Sequence, residues 1–299
     1  ITSLTCTSRQ ARTQAPHPLD GGAPAWAQAG ERLYTGVYVP SKAFGEFIHH
    51  ADRPPEVTAP ELAAWQREGR DLVVLDSRPL EEYRRNTIPG SIDCPSAELA
   101  YRVHDLMRST DTTVVVNCGG RTRAIIGAQA LINAGVPNKV YALKDGTQGW
   151  HLAGLPLARG RSEQAPPPGP NGIERAKAAA ARIARRFGVR TIDARELEAL
   201  RADCERTLYL LDVRTPEEYA AGHLRGALHA PGGQLVQATD TWLAVRHARV
   251  VLCDNDGVRA TMTAAWLIQM GWAEVSVLGA GSARLEQVFL HLLVNAYQA

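Results

Sequence analysis

Short apolar runs alternate with amphipathic segments along most of the chain. The runs 72–76 and 208–212 each place four apolar residues before an aspartate, which is typical of a strand buried on both faces. Further strand-like runs occupy 112–117, 139–143, 248–252 and 275–278. The segments 123–134 and 259–270 carry apolar residues at helical spacing. Strands that alternate with helices predict an α/β fold, in which helices cover both faces of a mainly parallel sheet.

The chain repeats itself at a constant spacing, which we call the repeat offset. It is the distance along the chain from Asp76 to Asp212, and it also separates Arg78 from Arg214. The same offset relates four further pairs: Tyr83 and Tyr219, Gly90 and Gly226, Arg123 and Arg259, and Gly135 and Gly271. A single offset held over this length indicates two copies of one domain.

Boundaries follow from the repeat and from composition. The Pro- and Gly-rich stretch 160–172 predicts a linker, and 173–189 predicts a helix that opens the second copy. One tryptophan and two glycines near the front recur, at a single constant spacing, at positions 150, 154 and 160: Trp26, Gly30 and Gly36. We therefore expect three regions: 1–52, 53–160 and 161–299. The first would hold the tail of a preceding copy, packed on the first full domain, and a linker helix. Since the chain does not begin with Met, we expect its natural start upstream.

Composition narrows the class of protein. Hydrophobic residues make up 45% and charged residues 21%, as in globular proteins, and a net charge of +2 gives no sign of a nucleic-acid partner. No apolar stretch approaches the roughly 20 residues that span a membrane. The five cysteines lack metal-ligand spacing, which favours free thiols in a reducing, cytoplasmic compartment. Adjacent His49 and His50 do not share a helix face and lack nearby ligands, so we expect no metal site. The sequence does not indicate an oligomeric state.

The segment 118–123 carries the candidate chemistry. It reads Cys-Gly-Gly-Arg-Thr-Arg and joins a predicted strand to a predicted helix. A glycine-rich turn at this point directs several backbone N–H groups at one place, and the helix N-terminus adds about half a positive charge. With Arg121 and Arg123 nearby, we expect the pKa of Cys118 to fall from about 8.5 towards neutrality. The sequence predicts a nucleophilic sulfur in a cradle of anion-binding groups.

Three motifs, in this order, resemble the rhodanese (thiosulfate sulfurtransferase) family: LDSRPLEEY followed by IPGSI, Cys118 with Arg123 five residues later, and LKDGTQGW. The resemblance covers about 53–160 and 173–290, with a tail at 19–36. It implies tandem α/β rhodanese domains from a bacterial multi-domain protein. It also implies that the Cys118 thiolate takes the outer sulfur of thiosulfate as a persulfide and passes it to cyanide or a cellular thiol, without a cofactor.

The same resemblance implies roles for individual residues. Those around the bound donor are Gly119, Gly120, Arg121, Thr122 and Arg123. Asp76 and Arg78 match the family's Asp-x-Arg signature, and we expect them to brace the loop from behind. The sequence departs from the family at Asn86 and Thr87, where Gly-His is usual, and at Arg121, where Gly is frequent.

In the second copy Cys253 stands next to Asp254, and spacing decides which of them holds the catalytic position. Asp254 follows Asp212 at the same distance along the chain at which Cys118 follows Asp76. We therefore expect Asp254 at the catalytic position, Cys253 at the end of the strand and a second domain without activity.

Two other functions stay open at this stage. Cys253 and Arg259 are separated by five residues, which is the spacing of the phosphatase relatives of this fold. A phosphatase or arsenate reductase is therefore the first alternative, although Asp254 and Asp256 would repel an anion and raise the thiol pKa there. The second alternative is a non-catalytic sulfur carrier or interaction module.

Overall fold

A computed structural model describes residues 20–30, 38–279 and 281. In chain order the strands β1 to β10 are Glu56–Val57, Leu72–Asp76, Ile92–Asp93, Thr113–Asn117, Val140–Leu143, Arg190–Ile192, Leu208–Asp212, Leu228–His229, Arg249–Cys253 and Val275–Leu278. The helices α1 to α13 are Gly22–Gln28, Val39–Ala51, Ala59–Arg67, Leu80–Arg85, Leu99–Arg102, Thr122–Asn133, Gly146–Leu152, Pro170–Phe187, Ala194–Ala202, Pro216–Ala221, Gly232–Gln237, Thr239–Trp242 and Val258–Gln269. Short 3-10 turns at Ser96–Glu98 and Val103–Asp105 flank α5.

The strands form two five-stranded sheets, ordered β1-β5-β4-β2-β3 and β6-β10-β9-β7-β8. Every pairing between these strands is parallel. The expected α/β fold with two related domains is confirmed, and the strands expected at 72–76 and 208–212 are β2 and β7 with those bounds.

Alternate residues of the central strands face opposite sides of the sheet. Val73 and Leu75 of β2 belong to the core cluster that includes residues of α2 and α6. Val74 lies on the other face, with Leu62 of α3 and Trp150 of α7. Helices therefore cover both faces, which is why β2 is an unbroken apolar run instead of an alternating one. The second domain divides its core between two clusters in the same way.

The two domains face each other through equivalent segments. A Cβ atom on Gly232 would lie 2.9 Å from Cβ of Ala97, and one on Gly233 would lie 3.1 Å from Cβ of Ser96. Gly232 and Gly233 are the counterparts of Ser96 and Ala97 at the repeat offset. The same turn of each domain thus contacts its counterpart, as in a two-fold symmetric dimer. The glycines permit this close approach.

A helix precedes the sheet of each domain. Helix α2 packs on α6 of the first domain and on α11 of the second, and α8 packs on α13 of the second domain and on α5 of the first. Their last residues, Ala51 and Phe187, are again related by the repeat offset. The helix expected at 173–189 is α8, whose buried face consists mainly of alanine.

The front fragment repeats the local structure of the corresponding segment at 146. Helix α1 follows Gly21 at φ 73°, and α7 follows Asp145 at φ 58°. Each helix thus begins after a residue in the left-handed conformation, and Trp26 and Trp150 lie at matching positions in the two helices. None of the residues of α1 is buried. The rest of the expected tail, at 1–19 and 31–37, lies outside the described residues.

Composition led to two expectations, that no segment spans a membrane and that the thiols are free. In the described part of the chain no helix is long and apolar enough to cross a membrane. Cys94, Cys118 and Cys253 are free of disulfides. Cys204 is disulfide-bonded, so the expectation of free thiols throughout is wrong at that residue.

Candidate active site

Cys118 directly follows β4 and lines a cavity of about 210 Å³. Only 1% of its surface is exposed. Residues from both domains line the cavity. The first domain contributes residues Cys118 and 120–123 of the Cys118 loop (118–123), together with Ser96 and Ile126. The segment at the start of α2 contributes Tyr38, Ser41 and Lys42, and the second domain contributes Gly233, Val236, Gln237 and Trp266. The carboxyl ends of parallel strands are where such sites form in open α/β sheets.

Two backbone amides act on the sulfur. The amides of Gly120 and Ala124 act to lower the pKa of the Cys118 thiol. The loop carbonyls turn the other way, because the N–H of Thr147 donates to Cys118 O at 2.9 Å and that of Gln148 donates to Gly119 O at 3.2 Å. The first turn of α7 therefore holds the carbonyl groups of Cys118 and Gly119 on the side of the loop that faces α7.

Gly146 makes this contact possible. It has φ 53°, and a Cβ atom there would lie 2.2 Å from Cys118 O and 2.7 Å from Gly120 O. The glycine of the LKDGTQGW motif is thus required both by its left-handed backbone and by the closeness of the Cys118 loop.

The pKa of Cys118 is raised above its ordinary value of 9.0, not lowered. Burial is the main cause. The Arg123 charge and the amides of Gly120 and Ala124 act in the opposite direction, and Asp76 adds to the rise. The expectation of a thiol poised near neutrality is wrong, because it considered the charges and amides of the loop and left out the desolvation of the thiol by burial.

Both arginines of the loop are already paired with carboxylates. Arg123 donates two hydrogen bonds to Glu82, of 2.9 and 2.8 Å, and a third of 3.1 Å to Gln237 of the second domain. Arg121 donates to Glu46 of α2 at 2.8 and 3.3 Å. Their charge is therefore largely compensated.

Thr122 begins α6 and lines the cavity. A Cβ atom on Gly45 would lie 2.7 Å from Thr122 Cγ2, so α2 approaches the loop closely at this point.

Asp76 and Arg78 lie behind the loop, inside the protein. Arg78 donates to both carboxylate oxygens of Asp76 at 2.8 Å. Asp76 also accepts from Thr87 Oγ1 at 2.7 Å and from Asn117 Nδ2 at 2.8 Å, next to Cys118. Arg78 also donates to the Asn86 carbonyl. Asn86 and Thr87, which depart from the family pattern, thus take part in this buried network.

The sequence analysis did not identify several residues of the site. Glu82 could have been identified, because Glu82 and Glu218 are related by the repeat offset. Lys42 and Gln237 could not, since they belong to α2 and α11 and reach the cavity only through tertiary packing. Within the described ranges no carboxylate pairs with Lys42, which makes it the cavity cation whose charge is not compensated there.

The loop of the second domain that follows β9, here called the second loop, contains the carboxylate of Asp254 where the Cys118 loop contains a thiol. Asp254 Oδ1 accepts from the N–H of Gly257 at 2.5 Å, and Oδ2 accepts from the N–H of Ala260 at 3.1 Å. Ala260 is the counterpart of Ala124 at the repeat offset. The side chain of Asp254 therefore occupies the anion-binding groups of its own loop.

Cys253 is the last residue of β9 and pairs with Asp212, as Asn117 pairs with Asp76 in the first domain. The expectation that Cys253 ends the strand is confirmed. The arginine of this loop, Arg259, is fully buried against Glu218, Glu98 and the ring of Tyr101. The first domain thus covers the second loop.

Known proteins resemble this chain in sequence and in structure. The family model described as Rhodanese-like domain matches residues 58–153 and 193–285. The crystal structure of a thiosulfate sulfurtransferase from Pseudomonas aeruginosa is 49% identical, with a TM-score of 0.83, and the match covers 87% of this chain and 49% of that one.

Two curated relatives are similar over shorter stretches. An HTH-type transcriptional regulator from Mycobacterium tuberculosis is 36% identical over 104 residues, which are 35% of this chain and 45% of that protein. The uncharacterized protein YibN from Escherichia coli is 38% identical over 92 residues, which are 30% of this chain and 64% of that protein. The chain thus spans about half of the length of the first relatives it matches.

Proposed function

The chain belongs to the rhodanese family, and on that premise we propose that it is a sulfurtransferase acting through a persulfide on Cys118. The donor is thiosulfate or a related sulfane-sulfur compound, and the acceptor is cyanide or a thiol. The observation that carries the proposal is the position of Cys118 Sγ, at the cavity and within reach of the Gly120 and Ala124 amides.

The first half-reaction forms the persulfide. The Cys118 thiolate attacks the outer sulfur of thiosulfate, a new S–S bond forms, and the S–S bond of the donor breaks. Sulfite leaves with the electron pair of that bond. The amides of Gly120 and Ala124 stabilise the anionic sulfur, because donors that are already fixed in place need no reorganisation.

The second half-reaction returns the enzyme to its starting state. The acceptor attacks the outer sulfur of the persulfide and takes it, and the Cys118 thiolate leaves. Cyanide becomes thiocyanate, and a thiol becomes a persulfide. Atoms and electrons balance in both steps, so the proposal includes no cofactor.

Binding of the donor anion needs a cation at the cavity. Arg121 and Arg123 are the residues of the loop expected to bind the sulfonate, yet Glu46 and Glu82 compensate their charges. We assign the larger share of donor binding to Lys42, which lines the same cavity. Thr122, Gly119 and Gly120 complete the loop around the donor.

The second domain has a supporting part in this proposal. It supplies Gln237 and Trp266 to the wall of the cavity. Its own loop carries Asp254 in place of a nucleophile, and we propose that it is catalytically silent. The division at residues 53–160 and 161–299 is part of the same proposal, as is a location in the bacterial cytoplasm.

Intact mass and peptide mapping after incubation with thiosulfate test the proposal. We expect the gain of one sulfur atom on Cys118, none on Cys253, and its loss on addition of cyanide with formation of thiocyanate. Persulfide that forms but is not discharged by cyanide would favour a sulfur carrier. Hydrolysis of p-nitrophenyl phosphate without persulfide formation would favour the phosphatase alternative.

A further inference from the structure

Three potential metal ligands lie together on α2. The side chains of Glu46, His49 and His50 offer ligand atoms that all lie within 4.8 Å of one another. Glu46 precedes the two histidines by three and four residues, the spacing that brings side chains to one face of a helix. The expectation that His49 and His50 have no ligand nearby is wrong, because it considered the adjacent pair without the preceding turn.

A carboxylate fixes one of these histidines from behind. His49 Nε2 lies 3.3 Å from Glu56 Oε2. The other ring nitrogen, Nδ1, is buried and has no hydrogen-bond partner in the described part of the chain. A histidine that contacts a carboxylate through one ring nitrogen keeps the other nitrogen for a metal ion. In such carboxylate–histidine–metal triads the carboxylate sets the tautomer and orientation of the ring.

We propose that Glu46, His49 and His50 form a binding site for a divalent transition-metal ion of the Zn²⁺ type. Two imidazoles and one carboxylate are a ligand set that suits such ions, and three protein ligands leave the fourth position to water. Ligand atoms around a tetrahedral Zn²⁺ stand roughly 3.4 Å apart, as its bond lengths of about 2.0–2.2 Å require. Glu46 and His50 are exposed, so their side chains can adjust to this spacing, while Glu56 orients His49.

The site is linked to the Cys118 cavity through one residue. Arg121 lines the cavity and donates to Glu46 at 2.8 Å, and it lies 3.8 Å from Glu56. A metal ion that binds Glu46 takes the main partner of Arg121. The mouth of the cavity then becomes more positive, by the metal charge and by the released guanidinium.

Co²⁺ is the probe for the site itself, added to the full chain without a polyhistidine tag. Nitrogen and oxygen ligands give visible d–d absorption without the intense near-ultraviolet band of a thiolate ligand. We expect saturation at one equivalent, displacement by Zn²⁺, and binding weakened roughly tenfold or more in Glu46→Gln, His50→Ala and Glu56→Gln. His151→Ala, an exposed histidine in the last turn of α7, is the matched control and leaves binding unchanged.

Two results would overturn the site. One is the absence of saturable absorption in the unmodified chain. The other is a thiolate band that disappears in Cys118→Ser while His50→Ala binds normally. Circular dichroism of each variant, with His50→Gln as a second substitution, separates loss of a ligand from loss of the fold.

Alkylation of Cys118 tests the link to the cavity and does not depend on the proposed sulfur transfer. Iodoacetate is an anion and iodoacetamide is neutral, so the ratio of their rates reports the charge at the cavity mouth. We expect bound Co²⁺ to raise this ratio about twofold or more at low salt in the unmodified chain, and not in His50→Ala. An unchanged ratio at saturating Co²⁺ would refute the link through Arg121.

Discussion

Glu82 holds Arg123 at two points, with hydrogen bonds of 2.9 and 2.8 Å to its two terminal nitrogens. The equivalent pair in the second domain is Glu218 and Arg259. An arginine that sequence alone presents as a free cation of the Cys118 loop is therefore a structural residue, which ties the start of α6 to α4.

Removal of the Glu82 charge tests this role. Burial acts to raise the pKa of Glu82, but pairing with Arg123 outweighs it and the pKa is lowered. A lowered pKa means that the contribution to the free energy of unfolding is present above the unfolded-state pKa of about 4.3 and is lost as pH falls. We expect Glu82→Gln to lose about 1–2 kcal/mol at neutral pH, allowing for screening at this partly exposed pair, and less in acid.

Urea unfolding of both proteins at neutral and acid pH measures the effect. Glu81→Gln is the matched control, since Glu81 is the exposed neighbour of Glu82 on α4. A destabilisation that is the same at both pH values would contradict an ion pair and leave only lost packing.

The reactivity of Cys118 provides a second prediction. Burial raises the pKa of its thiol above 9.0, and only the thiolate is nucleophilic. We expect the rate of alkylation by iodoacetamide to keep rising with pH beyond 9.0, the ordinary value. Peptide mapping separates Cys118 from the buried Cys94, which does not line the cavity and is expected to stay unmodified. A rate that levels off near neutrality would restore the low pKa that the loop alone suggests.

Gly146→Ala tests the fixing of the cradle by α7. The added methyl group would meet Cys118 O and Gly120 O, so the loop has to move or the helix has to tilt. We expect a loss of about 100-fold or more in kcat for sulfur transfer, as displacement of a reacting group by about 1 Å produces. Gly154→Ala is the matched control, because Gly154 also has a positive φ, of 74°, but nothing lies within 4 Å. Equal losses in the two variants would mean that backbone strain alone matters.

The fold could be predicted from the sequence because a local pattern of apolar and polar residues indicates each strand and helix. The apolar run of β2 and the internal repeat predict two parallel sheets without any knowledge of tertiary contacts. The Cys118 loop was recognisable for the same reason, since its glycines and arginines are consecutive.

The surroundings of the loop could not be predicted in this way. Lys42 and Gln237 reach the cavity from α2 and from the second domain, far away in sequence. Burial raises the pKa of Cys118, and the core cluster that contains Cys118 includes residues of α2 and of the second domain. Charge is visible in a sequence, whereas desolvation and the pairing of a charge with a distant partner appear only after folding.

Lys42→Met tests the assignment of donor binding. Methionine keeps the length and apolar stem of the side chain and removes the charge. We expect KM for thiosulfate to rise about fivefold to tenfold with little change in kcat, because Lys42 binds the donor anion in the ground state and the transition state alike. Lys139→Met, at an exposed lysine outside the cavity, is the control. An unchanged KM would return donor binding to Arg121 and Arg123.

The carboxylate in the second loop gives a prediction of opposite sign to that of Glu82. Burial, together with the nearby charge of Asp256, raises the pKa of Asp254 to about 6. A raised pKa means that the contribution to stability is fully present below the unfolded-state pKa of about 3.9 and is lost as pH rises towards 6. Ionisation of Asp254 thus destabilises the folded state, and the hydrogen bonds from the amides of Gly257 and Ala260 offset this only in part.

Asp254→Asn removes this titration and keeps the shape of the side chain. The variant loses one acceptor for the two amides, and this loss is the same at every pH. We expect the free energy of unfolding of the variant, relative to that of the unmodified chain, to rise by about 2–3 kcal/mol from acid to neutral pH. This is the free energy that corresponds to the rise in the pKa of Asp254. Denaturant unfolding across this range measures the difference, with the exposed Asp240→Asn as control. A difference that does not change with pH would show that Asp254 is ionised at its ordinary pKa, and that the second loop accommodates an anion without penalty.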